Sequence, residues 1–145
     1  MKFVVLSRYE VERFDCDKPY ILISITCPDD TEPKLLDSKT RIDVLKMRFH
    51  DWDIKAKKMF DEKYPEDGKK MVFFSEDHAK EIVKFVNQYL NKVELIVVNC
   101  AAGISRSAGI AAALSKSLTG DDTYFFKFYI PNSLVYSTII KEWHK

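Results

Sequence analysis

Residues 95–107, Leu-Ile-Val-Val-Asn-Cys-Ala-Ala-Gly-Ile-Ser-Arg-Ser, constrain the fold more than any other stretch of the chain. Leu95, Ile96, Val97 and Val98 form an apolar run without alternation, the pattern of a strand buried on both faces. The run stops at Cys100. A short loop with Gly103 follows, and from Arg106 the chain turns rich in alanine and leucine, which predicts a helix over 104–118. A fully buried strand passing through a tight loop into a helix is half of a parallel crossover unit. It requires neighbouring parallel strands and helices to cover them. It also sets Cys100 at the carboxyl end of a strand, where ligands of such sheets bind.

The remaining patterning agrees. Residues 3–6, 20–26 and 44–49 predict further strands. Residues 75–91 predict the clearest helix: Ser75 can cap it, Glu76 and Asp77 suit its positive end, and Ala79, Ile82, Val83, Val86 and Leu90 share a face. Further helices are expected near 54–60, 122–128 and 132–143. The expectation is an α/β fold with a mainly parallel central sheet of roughly four or five strands and helices on both sides. The chain has 145 residues, the size of one domain, so residues 1–145 are read as a single unit. Hydrophobic residues at 46% and charged residues at 31% exclude a disordered chain. A net charge of +1 disfavours nucleic acid as a partner, and no apolar stretch reaches membrane-spanning length. Charged Arg8, Glu10, Glu12 and Arg13 follow the first apolar run at once, unlike a secretory leader. Cys16, Cys27 and Cys100 are few, odd in number and without metal-ligand spacing. These features give a cytoplasmic, reducing setting and a monomer as the expectation.

The chemistry of residues 100–107 is that of an anion cradle. Amides of Ala101, Ala102, Gly103, Ile104 and Ser105 can point inward at a phosphate, and the following helix start adds partial positive charge. Arg106 can grip two oxygens with its planar fork. The same field favours a thiolate at Cys100, a nucleophile beneath the phosphorus. The plain alternative is a buried structural cysteine, which the surrounding constellation disfavours.

The spacing Cys100-x5-Arg106-Ser107, with Gly103 and Ser105 inside it, resembles the signature loop of cysteine-dependent protein tyrosine phosphatases, in particular their compact dual-specificity branch. The resemblance is specific over roughly residues 72–143 and looser over the first half; Pro131-Asn132 looks like the pair that opens the last helix in that family. It implies hydrolysis of phosphomonoesters through a cysteinyl-phosphate, with no metal and no organic cofactor. The implied substrate is a phosphorylated protein or peptide, carrying phosphotyrosine and also phosphoserine or phosphothreonine. Ser107 matches the hydroxyl that steadies the cysteine as it leaves; a local helix bond is its ordinary role. The implied mechanism needs an aspartate that first donates and then takes a proton. Asp51, just past a strand end, is the first candidate, Asp53 the second, and Asp67 a third; capping or turn roles are the alternative for all. Two departures from the pattern stand out. A lysine-rich segment over 55–70 lengthens the gap between acid and cysteine, and Asn99 replaces the histidine that precedes the cysteine. Asparagine can hydrogen-bond but carries no titratable charge. A phosphate-binding adaptor without turnover, and phosphatases of inositol phosphates or RNA 5′-phosphates, stay open as alternatives. The absence of lysine in 101–105 disfavours the inositol reading.

Overall fold

The computed structural model describes residues 1–64 and 71–145. Four parallel strands, β1 (Lys2–Leu6), β2 (Tyr20–Thr26), β3 (Arg41–Arg48) and β4 (Leu95–Asn99), form one sheet in the order β1-β4-β2-β3. Position in the sheet explains their sequences. The central strands β2 and β4 are closed on both faces, and every residue of β2 is buried. The edge strand β3 is mostly half-exposed and carries Arg41, Asp43, Lys46 and Arg48. It begins three residues before the predicted 44 and ends one before the predicted 49. Polar edge residues hide a strand from an apolar-run reading.

Six helices are present among the described residues: α1 (Arg8–Val11), α2 (Ile54–Lys63), α3 (Glu76–Tyr89), α4 (Arg106–Thr119), α5 (Thr123–Phe128) and α6 (Ser133–Trp143). They cover the two faces unequally. On one face Ile21, Ile23, Ile25, Ile96 and Val98 pack with buried residues of α3, α4, α5 and α6. The other face, with Tyr20, Leu22 and Val97, is covered by Val11 of α1 together with Phe14, Cys16 and Leu35. The expected helices on both sides are therefore four on one side, and one short helix with extended chain on the other.

Local rules account for most helix ends. Ser75 starts α3 with a reciprocal capping box, but its partner is the His78 ring rather than a carboxylate. His78 is half-buried and stacks on Phe74 at 5.4 Å. The buried face of α3 is Ala79, Ile82, Phe85 and Val86; Val83 and Leu90 lie at its margin. Residues 106–115 of α4 are buried all round, as its small side chains allow. Gly109 marks the closest approach: a Cβ there would lie 3.0 Å from the Asn132 carbonyl oxygen and 3.1 Å from Val135 Cβ. That contact sets the start of α6 against the start of α4. By contrast α2 buries no residue. It is held through Phe60, which meets Trp52 at 5.1 Å and Phe73 at 6.1 Å. Among the described residues no helix is long and apolar enough to cross a membrane.

Candidate active site

Cys100 is the first residue past β4, and its position is set by the neighbouring edge strand. Its amide donates to the Leu6 carbonyl at 3.3 Å, and the Arg8 amide donates to the Ala101 carbonyl at 3.1 Å. The loop is thus stitched to the turn between β1 and α1. Gly103 makes the turn possible. Its φ is +69°, and a Cβ would fall 2.5 Å from Ser7 N and 2.7 Å from the Leu6 carbonyl carbon. Neither the dihedral nor the space admits another residue. The curl brings the Gly103 amide to 3.3 Å from Cys100 Sγ, and Ser107 Oγ lies 3.0 Å from the same sulfur. Cys100 is 2% exposed, so its thiol forms the floor of the loop.

At the far end of the loop, Ser105 occupies the N-cap position of α4 without capping it. Its hydroxyl donates instead to Asp51 Oδ1 at 2.8 Å. The first-turn amides of α4 are therefore not taken up by a capping side chain, the condition for a helix start to receive an anion. Asn132 donates a second hydrogen bond to the same Asp51 oxygen, from Nδ2 at 2.9 Å. Arg106, 5% exposed, reaches across the carboxyl ends of two strands. Its Nη1 donates to the Phe49 carbonyl at 2.9 Å and to Cys27 Sγ at 3.1 Å, while Nε is buried without a partner. A guanidinium edge without an acceptor in a buried place is costly unless an anion fills it. Beside Asp51 opens a cleft of about 350 Å³, with Trp52, Asp53, Ala56, Ile130 and Pro131 in its walls.

Known proteins resemble the chain in fold and not in sequence. No family model matches the chain, and no curated protein matches it in sequence. Solved structures do match. A crystal structure of Tk-PTP in the active form superposes with a TM-score of 0.55 at 13% identity, covering 99% of this chain and 90% of that one. PTPMT1 in complex with PI(5)P superposes with a TM-score of 0.50 at 14% identity, covering 87% and 77%. The chain has the fold of the cysteine-dependent phosphatases.

On that fold the residues expected to act together are adjacent. The structure gathers Cys100, the loop 101–105, Arg106, Ser107 and Asp51 into one site. Asp53 lines the same cleft but has a hydrogen bond of its own. It is the N-cap of α2 and accepts from the Ala56 amide at 2.8 Å, the ordinary capping role. Asp67 lies outside the described residues. His50 is engaged with the chain at Val72: its Nδ1 accepts from the Val72 amide at 3.0 Å. Asn99 is fully buried, and neither of its side-chain polar atoms has a partner. Its side chain therefore makes no hydrogen bond to the loop. Among the described residues no group of three or more His, Cys, Asp or Glu side chains is arranged to hold a metal ion. Two residues in contact with the site were not singled out for it by sequence. Cys27 read as an ordinary thiol, and Asn132 only as the opener of the last helix. Asparagine is a favoured N-cap residue, and Asn132 stands directly before the helix it opens; no signal in the sequence marks Cys27.

Proposed function

We propose that the chain is a phosphomonoester hydrolase that works through a cysteinyl-phosphate, with phosphotyrosine proteins as substrates. The observation that carries this reading is the placement of Cys100 Sγ beneath the loop, with Asp51 bonded to the rim of the same loop through Ser105. Arg106 and the loop amides bind the phosphoryl oxygens. Cys100 Sγ attacks phosphorus, the ester P–O bond breaks, and Asp51 gives its proton to the departing oxygen. With Oδ1 occupied by Ser105 and Asn132, Oδ2 is the oxygen that carries that proton. Water then attacks phosphorus, its proton passes to Asp51, and the P–S bond breaks. The Ser107 hydroxyl, 3.0 Å from Sγ, donates to the sulfur as it leaves. The apolar walls of the cleft beside Asp51, Trp52, Ile130 and Pro131, suit an aromatic ring better than a short serine side chain.

Two observations favour a second substrate. The structural neighbour PTPMT1 is in complex with PI(5)P, and Lys55 and Lys58 of α2 line a hollow that shares Asp53 and Ala56 with the cleft. The test is phosphate release in the presence of a metal chelator, measured on an aryl phosphate, a phosphotyrosine peptide, a phosphoserine peptide and a phosphoinositide. The expected result is turnover that is blocked by vanadate and abolished in Cys100→Ser, with the phosphotyrosine peptide preferred. Phosphopeptide binding without phosphate release would replace the reading with a non-catalytic adaptor, and preference for the phosphoinositide would move the substrate class.

A further inference from the structure

A guanidinium in a buried site must be held at one edge if it is to present the other edge to a ligand. Arg106 is 5% exposed and enters the site from the first turn of α4. Two residues from elsewhere in the chain meet its Nη1. Phe49, the first residue past β3, offers its backbone carbonyl at 2.9 Å, and Cys27, the first residue past β2, offers Sγ at 3.1 Å. Nε, at the opposite edge, has no protein partner. The asymmetry divides the fork into an anchored end and an edge left for an anion.

The sulfur is itself fixed. The Cys27 carbonyl accepts from Arg48 Nη1 at 3.0 Å and from the Asp30 amide at 3.0 Å. The backbone that carries the thiol is thus tied to β3 and to the turn after β2. Cys27 also lines a small cavity with Asn99 and Ala101, so it lies beside the start of the loop and not on a remote surface. The carbonyl of Phe49 alone would leave the guanidinium free to pivot about one hydrogen bond. Two acceptors from adjacent strands define its plane. A plane defined before the ligand arrives lowers the ordering cost of a bidentate grip.

We propose that Cys27 is a positioning residue for the phosphate clamp: its thiol holds the Nη1 end of Arg106 so that the Nε edge is set for two phosphoryl oxygens. The proposal rests on the reading of Arg106 as the oxyanion-binding group. It concerns the binding of the tetrahedral anion and is measurable without turnover.

The experiment compares wild type, Cys27→Ser and Cys27→Ala for binding of inorganic phosphate and orthovanadate by calorimetry, and for KM and kcat on an aryl phosphate. The same Cys27→Ala change is also made in an Arg106→Ala background. Loss of one hydrogen bond to the clamp predicts anion affinity about fivefold weaker in Cys27→Ala, with KM rising in parallel and kcat within about twofold. Cys27→Ser, which retains an acceptor, recovers most of the affinity. In the Arg106→Ala background Cys27→Ala changes affinity by less than about twofold, because the group it positions is gone. Equal affinity of wild type and Cys27→Ala overturns the proposal, as does an undiminished effect of Cys27→Ala without Arg106. A fall in melting temperature with unchanged anion affinity also overturns it, since that is the mark of packing alone. If wild type binds phosphate and shows this pattern but does not hydrolyse the ester, the hydrolase reading fails and the positioning role stands.

Discussion

Asn132 joins the stability of α6 to the hold on Asp51, the proposed acid, in a way that substitution can separate. The residue is 3% exposed, and its side chain works at both ends. Oδ1 accepts from the Val135 amide at 3.1 Å and caps α6, while Nδ2 donates to Asp51 Oδ1 at 2.9 Å. Asn132→Ala removes both functions. Loss of an N-cap costs about 1 kcal/mol, and for a chain of this size the melting temperature should fall by roughly 3 °C. The Asp51 carboxylate then keeps only the Ser105 hydroxyl, one donor of two. General acid catalysis is worth about 10²–10⁴-fold, so a loosened but present acid should lose about tenfold on a poor leaving group such as phenyl phosphate. On a dinitrophenyl ester, whose leaving group departs unprotonated, the loss should stay within about twofold. Asn132→Ser discriminates between the two roles. Serine is a good cap but offers no amide to Asp51, so it should recover most of the stability and little of the rate. Denaturation curves and rates over a series of aryl phosphates supply the readout. Equal slowing of good and poor leaving groups, or a serine variant as unstable as the alanine one, would refute the division of labour.

The two aspartates near the cleft should behave differently. Asp51→Asn should lose roughly two to four orders of magnitude on phenyl phosphate and far less on the dinitrophenyl ester. Asp53→Ala should cost about 1 kcal/mol of stability, as an N-cap of α2, with no dependence on leaving group. A larger leaving-group effect at Asp53, or at Asp67, would transfer the acid role. His78 predicts a pH dependence of stability. Burial against Phe49 and Phe74 lowers its pKa below the ordinary 6.5, outweighing the attraction of Glu81 and Asp77. The unfolded chain thus takes up the proton first. Stability is full above 6.5 and falls as the pH drops from 6.5 through the lower folded value. Protonation of Nδ1 also removes the acceptor for the Ser75 amide. Urea denaturation between pH 7.5 and 5 should show a decline that His78→Gln lacks; parallel curves would reject this origin.

The fold was legible where a short segment carries its own signal. The apolar run 95–98, the glycine of the loop and the alanine-rich helix are local features, and each occurs as expected. So do β2, α3 and its serine cap. The missed element, α1, is only four residues long, too short for periodicity to register. It nonetheless carries a readable signature: Ser7-Arg8-Tyr9-Glu10 is a capping-box sequence, and both bonds form. The early start of β3 escaped for the opposite reason. Arg41 and Asp43 lie on an exposed edge, where pairing with β2 and not burial makes the strand.

The site divides along the same line, because sequence reports spacing and the site depends on contacts between distant segments. Cys100, Gly103, Arg106 and Ser107 fall within eight residues, and one loop conformation brings them together. The other members are separated by large distances along the chain. Ser105 and Asp51 are 54 residues apart, Arg106 and Cys27 are 79, and Asn132 and Asp51 are 81. Each of these pairs depends on the strand order. With β4 inserted between β1 and β2, the carboxyl ends of β2 and β3 lie to one side of the loop, and the residues just past them, Cys27 and Phe49, come within reach of Arg106. Asp51 follows two residues later on the same side. Gly109 lets α6 approach α4 closely enough for Asn132 to meet that aspartate. A side chain larger than glycine at 109 would therefore weaken the hold on the acid without touching it. The small residue at the helix crossing thus belongs to the hold on Asp51, the proposed acid, as much as to the core.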